Sequence, residues 1–408
     1  MKSSSGPKVN TDPKKIREVL TRGVEGVYPS LQLLEREMRK GKRLKLYCGY
    51  DPSAPSLHIG HLITLKKLAG FQSLGHEVIM LLGDFTGMIG DPTEKSSTRK
   101  KMTRKEVLKN SKNYKKQASK ILRFSGSNPA KVLYNSQWSD KLSFVDLIEL
   151  ASNFTVQQMI VREMFQERMK AKRPIYLHEF LYPLAQAYDS VAMNVDLEVG
   201  GKDQTFNMLC GRDLVKILKS KEKFVLATKL LIDPSGKKMG KTEGNIVNLD
   251  VGAKDMYGRI MAWPDSMIAL GFELCTDLPL EKIKEISNKI ENKKLNPRDA
   301  KAKLAKEIVG ACYSLDEANK AEKEFDKVFQ KKELPSEIPE VGINEKSLNI
   351  LDLLVKAKTV SSRAEAKRVV LQKGVKIDGK VRDDWKENVE IKKGLIVQVG
   401  KRRFAKVT

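Results

Sequence analysis

Cysteine, histidine and long apolar runs are scarce in this chain of 408 residues, which has only 4 Cys and 4 His. Cys48, Cys210, Cys275 and Cys312 are far apart and show no metal-ligand spacing. That excludes a disulfide framework and a zinc ribbon, and no metal site is expected; the cysteine usage suits a reducing, cytoplasmic setting. No apolar stretch is long enough for a transmembrane helix. The first residues, Met1-Lys2-Ser3-Ser4-Ser5-Gly6, lack the apolar core of a secretory signal and read as a loose tail. Acidic residues are also short: 51 Asp and Glu stand against 76 Lys and Arg, a formal net charge of +25. Between Ile391 and Thr408 there is no acidic side chain, while Lys392, Lys393, Lys401, Arg402, Arg403 and Lys406 are basic. Such a balance suits a polyanionic partner. There is no internal repeat and no low-complexity tract.

What is present is an alternation of apolar strands and helices. Leu44–Tyr47, Val78–Leu82, Lys131–Tyr134 and Leu197–Val199 read as buried parallel strands. Helices are expected after Gly60, over 103–124 from a Thr103-x-x-Glu106 capping box, over 154–169, and over 180–193. The pattern predicts an α/β fold, a doubly wound, Rossmann-type parallel sheet over 44–249 whose ligands lie beyond the strands' carboxyl ends. Tyr47, Asp84, Gly200 and Gly201 are each expected just after a strand. Residues 1–43 read as a tail and two amphipathic helices, 250–330 as an α-helical domain, and 331–346 as a linker. The last part, 347–408, reads as a small basic α+β module, a credible RNA grip. It holds a basic helix from Ser361 to Arg368, a strand and tight turn at Gly374–Lys380, and a strand at Leu395–Gly400.

Two short motifs carry chemistry. Leu57-His58-Ile59-Gly60-His61 sits where a strand gives way to a helix. A helix N-terminus offers unpaired N–H groups and a positive dipole end, suited to phosphate. Gly60 is expected to let the backbone approach a flat base. The two imidazoles can donate to phosphate oxygens as charge builds up. Further on, Lys238-Met239-Gly240-Lys241-Thr242 follows the turn signal Asp233-Pro234-Ser235-Gly236. Two lysines on a loop can balance a triphosphate. Read alone, they are equally a solvated pair in a basic chain.

Together the motifs resemble the HIGH and KMSKS signatures of class I aminoacyl-tRNA synthetases. The surrounding blocks narrow the resemblance to bacterial-type tyrosyl-tRNA synthetases. They are Tyr47-Cys48-Gly49-Tyr50-Asp51-Pro52, Gly83-Asp84-Phe85-Thr86-Gly87-Met88-Ile89-Gly90-Asp91-Pro92, Tyr182-Pro183-Leu184-Ala185-Gln186-Ala187-Tyr188-Asp189 and Gly200-Gly201-Lys202-Asp203-Gln204. The C-terminal module resembles a small RNA-binding domain shared with a ribosomal protein and pseudouridine synthases.

The resemblance implies a site residue by residue. Tyr47 and Asp189 would meet the substrate phenol. Asp91, Tyr182 and Gln186 would surround its ammonium group, and Gln204 its carboxylate and the adenylate. Cys48, Gly201 and Asp203 would meet the ribose. Gly49, Asp51, His58, Gly60, His61 and Thr64 would flank ATP. Lys95, Arg99, Lys238, Lys241 and Thr242 would gather the leaving pyrophosphate. Arg363, Lys367, Arg368, Lys401, Arg402 and Arg403 would grip tRNA. By residue type alone, Cys48 is as readily a small core residue, Thr64 an ordinary helix position, and Lys95 and Arg99 part of a solvated loop. The lysine loop departs from the common pattern, with Gly240 for its first serine and Thr242 for its last, yet it keeps both lysines.

The implied reaction joins L-tyrosine, ATP and tRNA(Tyr), with magnesium accompanying ATP and no tightly bound cofactor. A homodimer is also implied, and its interface is expected on a helix carrying Met159, Val161, Met164 and Phe165. Three alternatives remain open. A tryptophanyl-tRNA synthetase shares the fold, but an indole does not call for the Tyr47/Asp189 pair. A synthetase-derived splicing helper would not need the ATP residues. A nucleotidyltransferase would not need the basic C-terminal module.

Overall fold

A computed structural model describes residues 7–92, 101–233, 236, 246–329, 338–400 and 403–408. The chain divides into two compact units, Met1–Ala318 and Asn319–Thr408.

The first unit is built on a six-stranded sheet in the order β1-β6-β5-β2-β3-β4, formed by β1 (Val24–Tyr28), β2 (Lys45–Tyr50), β3 (Glu77–Leu82), β4 (Lys131–Tyr134), β5 (Leu197–Gly201) and β6 (Phe224–Thr228). Strands β2 to β6 run parallel. Helices on both faces bury the sheet, so its central strands read as near-continuous apolar runs. The α/β Rossmann-type expectation holds, with one correction: β1 pairs antiparallel with β6 and makes the sheet mixed. It lies between α1 (Pro13–Thr21) and α2 (Leu31–Arg39), in the stretch expected to hold helices alone.

Going from β2, the chain first builds outward through α3 (Ile59–Ser73), β3 and β4, then returns to place β5 on the other side of β2. The order therefore reverses between β2 and β5, and a cleft opens beyond their carboxyl ends, as such a switch point requires. The expectation that Tyr47, Gly200 and Gly201 follow their strands is corrected, since Tyr47 lies within β2 and the two glycines are the last residues of β5.

Two long helices expected from periodicity are broken. Helix Arg104–Ser111, opened by the expected Thr103/Glu106 capping box, ends before a separate helix Tyr114–Ala118. The break re-aims the second helix: Tyr114 Oη donates to Ala54 O at 2.7 Å, and Gln117 holds Leu57 N at 2.6 Å and Pro55 O at 3.2 Å. The other is split into Val156–Ile160 and Glu163–Lys170 by Arg162, which is extended. Arg162 lies over the rings of Phe206 and Phe165, with its guanidinium 3.9 Å from Asp91.

Beyond 250 the first unit is helical: Ala253–Met261, Ile268–Cys275, Leu280–Glu291 and Pro297–Cys312. Met256, Tyr257, Ile260, Leu304 and Ile308 are buried there.

The second unit holds a five-stranded sheet ordered β10-β9-β12-β13-β7, where β7 is Glu340–Val341, β9 Val375–Ile377, β10 Lys380–Arg382, β12 Ile396–Val399 and β13 Arg403–Val407. A second pair joins β8 (Ser347–Asn349) to β11 (Asn388–Glu390). Two helices, Ile350–Lys356 and Arg363–Leu371, supply core residues Leu353, Leu354, Ala366 and Val370. The expected tight turn is Asp378-Gly379, with φ of +47° and +78°, the pairing a two-residue hairpin favours. Strand β7 lies in the stretch read as a linker, yet it pairs with β13.

Candidate active site

The His58-Ile59-Gly60-His61 turn caps α3. His58 is the N-cap residue; its Nδ1 accepts from Gly60 N at 3.1 Å, and His61 Nδ1 accepts from His58 N at 3.0 Å. The two rings stack at 3.9 Å between centroids. Because both Nδ1 atoms accept, the neutral tautomers carry their hydrogen on Nε2. The backbone holds the imidazoles as donors, the role that phosphate chemistry asks of them. Gly60 has a second reason beside the expected one. A Cβ there would come within 2.9 Å of the His58 ring, so the glycine makes room for the histidine cap. The strand-like segment after the lysine loop binds this turn: Ile59 N donates to Val247 O and Leu249 N to Leu57 O, both at 2.8 Å. Thr64 spends its hydroxyl on His61 O at 3.1 Å and on Tyr50 Oη at 3.0 Å, so it ties α3 to β2 at the edge of the cleft.

The cleft is lined by Tyr47, Cys48, Gly49, Asp51, His58, Gly60, His61, Thr64, Asp91, Tyr182, Gln186, Asp189, Gly201, Asp203 and Gln204. Fifteen positions separated by as much as 157 in sequence thus meet in one place. On its floor, Tyr47 and Asp189 are 1% and 2% exposed. Asp189 Oδ1 accepts from Trp138 Nε1 at 2.7 Å and Oδ2 from Asn135 Nδ2 at 3.3 Å. Burial pushes its carboxyl well above the usual range, and those two hydrogen bonds oppose the shift. Tyr47 Oη lies 2.9 Å from Ser190 Oγ, and burial raises the phenol's pKa too.

Midway up, carboxylates and amides alternate. Asp51 Oδ2 accepts from Tyr182 Oη at 2.9 Å and Oδ1 from Thr86 Oγ1 at 2.7 Å. Asp91 Oδ2 accepts from Gln204 Nε2 at 2.6 Å, and Asn207 Nδ2 fixes Gln204 Oε1 at 3.0 Å. Gly83 is needed here, because a Cβ would fall 2.0 Å from Asp51 Oδ1. Cys48 is buried at the cleft wall, its thiol pushed up to about 12 by desolvation. Lys95, Arg99, Lys238, Lys241 and Thr242 lie outside the described residues.

In the second unit, Arg363 pairs with Asp352, Arg403 Nη1 with Glu365 Oε1 at 2.8 Å, and Lys367 sits 4.0 Å over the Trp385 ring. Arg368 is exposed on the same helix, while Lys401 and Arg402 lie outside the described residues.

With this geometry in view, two family models match. Residues 39–330 match tRNA synthetases class I (W and Y), and residues 330–407 match the tyrosine–tRNA ligase SYY-like C-terminal domain. The chain belongs to the tyrosine–tRNA ligases. It is 43% identical to a tyrosine–tRNA ligase of Thermotoga maritima over 97% of this chain and 98% of that one. A tyrosine–tRNA ligase of Haemophilus influenzae is 41% identical, with the same coverage. Among solved structures, a C-terminally truncated mitochondrial tyrosyl-tRNA synthetase of Coccidioides posadasii is similar. Its TM-score is 0.62 at 25% identity, over 76% of this chain and 91% of that one.

As an aminoacyl-tRNA synthetase the chain is an enzyme, and ATP is its substrate. Several of its site residues escaped sequence reasoning. Trp138 and Asn135 hold Asp189 but stand in no motif. Ser190 was the unread neighbour of Asp189. Glu198, at the cleft wall, and Lys223 form a buried ion pair, at 2% and 0% exposure. Glu198, a charge inside the apolar strand β5, was the signal available for that pair, whereas Lys223 stands in the charged run Lys221-Glu222-Lys223 just before β6.

Proposed function

We propose that the cleft activates L-tyrosine with ATP and that the enzyme then esterifies tRNA(Tyr). The observation that carries this reading is the floor, where Tyr47 and Asp189 place a hydroxyl and a carboxylate side by side among apolar residues such as Leu81 and Met193. A phenol that both donates and accepts adds hydrogen bonds to such a floor, and a benzyl ring offers it neither a donor nor an acceptor. Above it, Asp91, Tyr182 and Gln186 take the ammonium, and Gln204 lies beside the carboxylate. Cys48, Gly201 and Asp203 meet the ribose, and Gly49, Asp51, Gly60 and Thr64 shape the ATP end.

The substrate carboxylate is ionised at neutral pH and attacks the α-phosphorus of ATP. The bond from that phosphorus to the bridging oxygen breaks, and pyrophosphate leaves with its electron pair. No protein nucleophile is needed. Catalysis consists of positioning and of balancing charge on the leaving group. His58 and His61 supply Nε2–H donors, and Lys95, Arg99, Lys238, Lys241 and Thr242 supply cations and a hydroxyl. Magnesium arrives with ATP as part of the substrate. The terminal ribose hydroxyl of tRNA then attacks the tyrosyl carbonyl and releases AMP. Arg363, Lys367, Arg368, Lys401, Arg402 and Arg403 hold the tRNA by its phosphates.

The enzyme acts as a homodimer in the cytoplasm. Its proposed contact surface keeps Val161 of the sequence expectation but not Met159 and Phe165, which are buried within the protomer. Phe144, Ile148, Val156, Val161 and Leu177 are exposed apolar side chains that a second copy would cover. No helix among the described residues is long and apolar enough to cross a membrane. ATP–pyrophosphate exchange across the twenty amino acids tests the reading. Exchange with tyrosine alone supports it, and exchange with tryptophan in its place overturns it.

A further inference from the structure

At the wall of the cleft, beside Gln186, lies a charge that the reaction does not use. Glu198 on β5 and Lys223 just before β6 are both buried, and the Lys223 ammonium donates to Glu198 Oε2 and to Met208 O at 3.1 Å. Gly211 leaves room for it, since a Cβ there would lie 2.6 Å from Lys223 Nζ. Burying such a pair costs several kcal/mol per ion before their attraction repays it, and an apolar pair of the same volume is often as stable. The carboxylate's other bonds show what the charge does. Ser190 Oγ also donates to Oε2, at 3.3 Å, which leaves Oε1 to accept from Gln186 Nε2 at 2.9 Å.

That last bond decides how the Gln186 amide is turned. An ionised carboxylate only accepts, so the amide must present its NH2 group to Glu198. The amide oxygen is then the end turned away from Glu198, on a residue that lines the cleft. An ammonium ion needs acceptors. A glutamine turned the other way would meet it with a second donor. We propose that Glu198, held anionic by Lys223, is a positioning residue that locks Gln186 as an acceptor for the substrate ammonium group. The inference rests on the reading of Gln186 as an ammonium contact.

Glutamine at 198 keeps the shape but removes the lock, because an amide can donate to Gln186 Oε1 as well as accept from its NH2. Equilibrium binding of two ligands isolates the effect: L-tyrosine, and 3-(4-hydroxyphenyl)propionate, which lacks only the ammonium. Glu198→Gln should weaken L-tyrosine about tenfold, the value of one hydrogen bond to a charged group, and change the desamino analogue by less than about twofold. Glu198→Gln leaves Lys223 without its counter-ion, so Glu198→Gln/Lys223→Met is measured beside it, with melting temperatures for both. The same selective loss is expected in the double variant. Equal weakening of both ligands means Glu198 only supports the fold, and no weakening means the amide needs no lock; either overturns the proposal. Gln186→Leu separates the two levels. A selective loss of L-tyrosine there without one in the Glu198 variants overturns the positioning role alone. No selective loss in Gln186→Leu overturns the ammonium reading of Gln186 itself.

Discussion

The floor of the tyrosine cleft and the basic face of the C-terminal unit use charge in opposite ways. At the floor and the wall beside it Asp189, Glu198 and Lys223 are shut away from water, and each has named partners at fixed distances. In the C-terminal unit Arg363, Lys367, Arg368 and Arg403 stand in solvent; Arg363 and Arg403 pair with surface carboxylates, and Lys367 lies over a tryptophan ring. Buried charges act singly, because each unpaired one carries a large desolvation cost. Exposed charges are individually worth little and act as a sum that salt erodes. The first arrangement suits the choice of one small molecule over another. The second suits the capture of a long polyanion.

Separating the two regions should give the largest effect. A chain ending at Phe329 keeps the whole first unit and should still form tyrosyl-adenylate in single-turnover assays. Its charging of tRNA at low tRNA concentration should fall roughly a thousandfold, with a flatter salt dependence of tRNA binding. Charging at the full-length rate would show that the basic face takes no part in capture. Within the floor, Asp189→Ala should cut the ratio of kcat/KM for tyrosine over phenylalanine by about a hundredfold, since a hydrogen bond to a charged acceptor is lost with the right substrate only. A ratio at the wild-type value would take Asp189 out of phenol recognition.

The same contrast explains what the sequence made legible. Strands β2, β3 and β5 were readable because burial on both faces leaves continuous apolar runs. Strand β1 was not, because Gly26 interrupts a short edge strand with a register shift. The breaks at Asn113 and Arg162 were hidden because periodicity continues across them, while the reasons to break are distant: the Ala54–Leu57 segment for one, Asp91 and Phe206 for the other. Motif residues were found where they touch the cleft. Their supports were not. Trp138, Asn135 and Glu198 act through hydrogen bonds to residues 51, 54 and 12 positions away. Gly60 was recognised for its position, but the crowding by the His58 ring two residues earlier, a second reason for glycine there, is a contact that only the folded turn shows.

A buried ionisable group away from the cleft sharpens the comparison. His76 is fully buried; its Nδ1 accepts from Leu44 N at 3.2 Å, and burial first, then Arg43, pull its pKa down to about 4. The folded chain therefore keeps the ring neutral while the unfolded chain takes up a proton below 6.5. Stability is full above that value, falls as pH drops, and levels off near pH 4. Urea unfolding at pH 7 and pH 5 should differ by about 2 kcal/mol from this residue. His76→Asn should remove that part of the pH dependence. An unchanged difference between the two pH values in the variant would assign it elsewhere.

The smallest expected effect probes the exposed side. Arg403 is held by Glu365, whose carboxyl sits at about 2 because Ser361 N–H and the Arg403 guanidinium both favour its anion. A phosphate must compete with that carboxylate for the arginine. Arg403→Ala should weaken tRNA binding only a few-fold and lower the salt slope by about one. Glu365→Gln keeps the bond pattern at Ser361 but removes the competing charge, so tRNA should bind about twofold more tightly. The opposite signs are what make the pair informative. If both variants weaken binding alike, the ion pair holds the shape of the module, and Arg403 does not reach the tRNA.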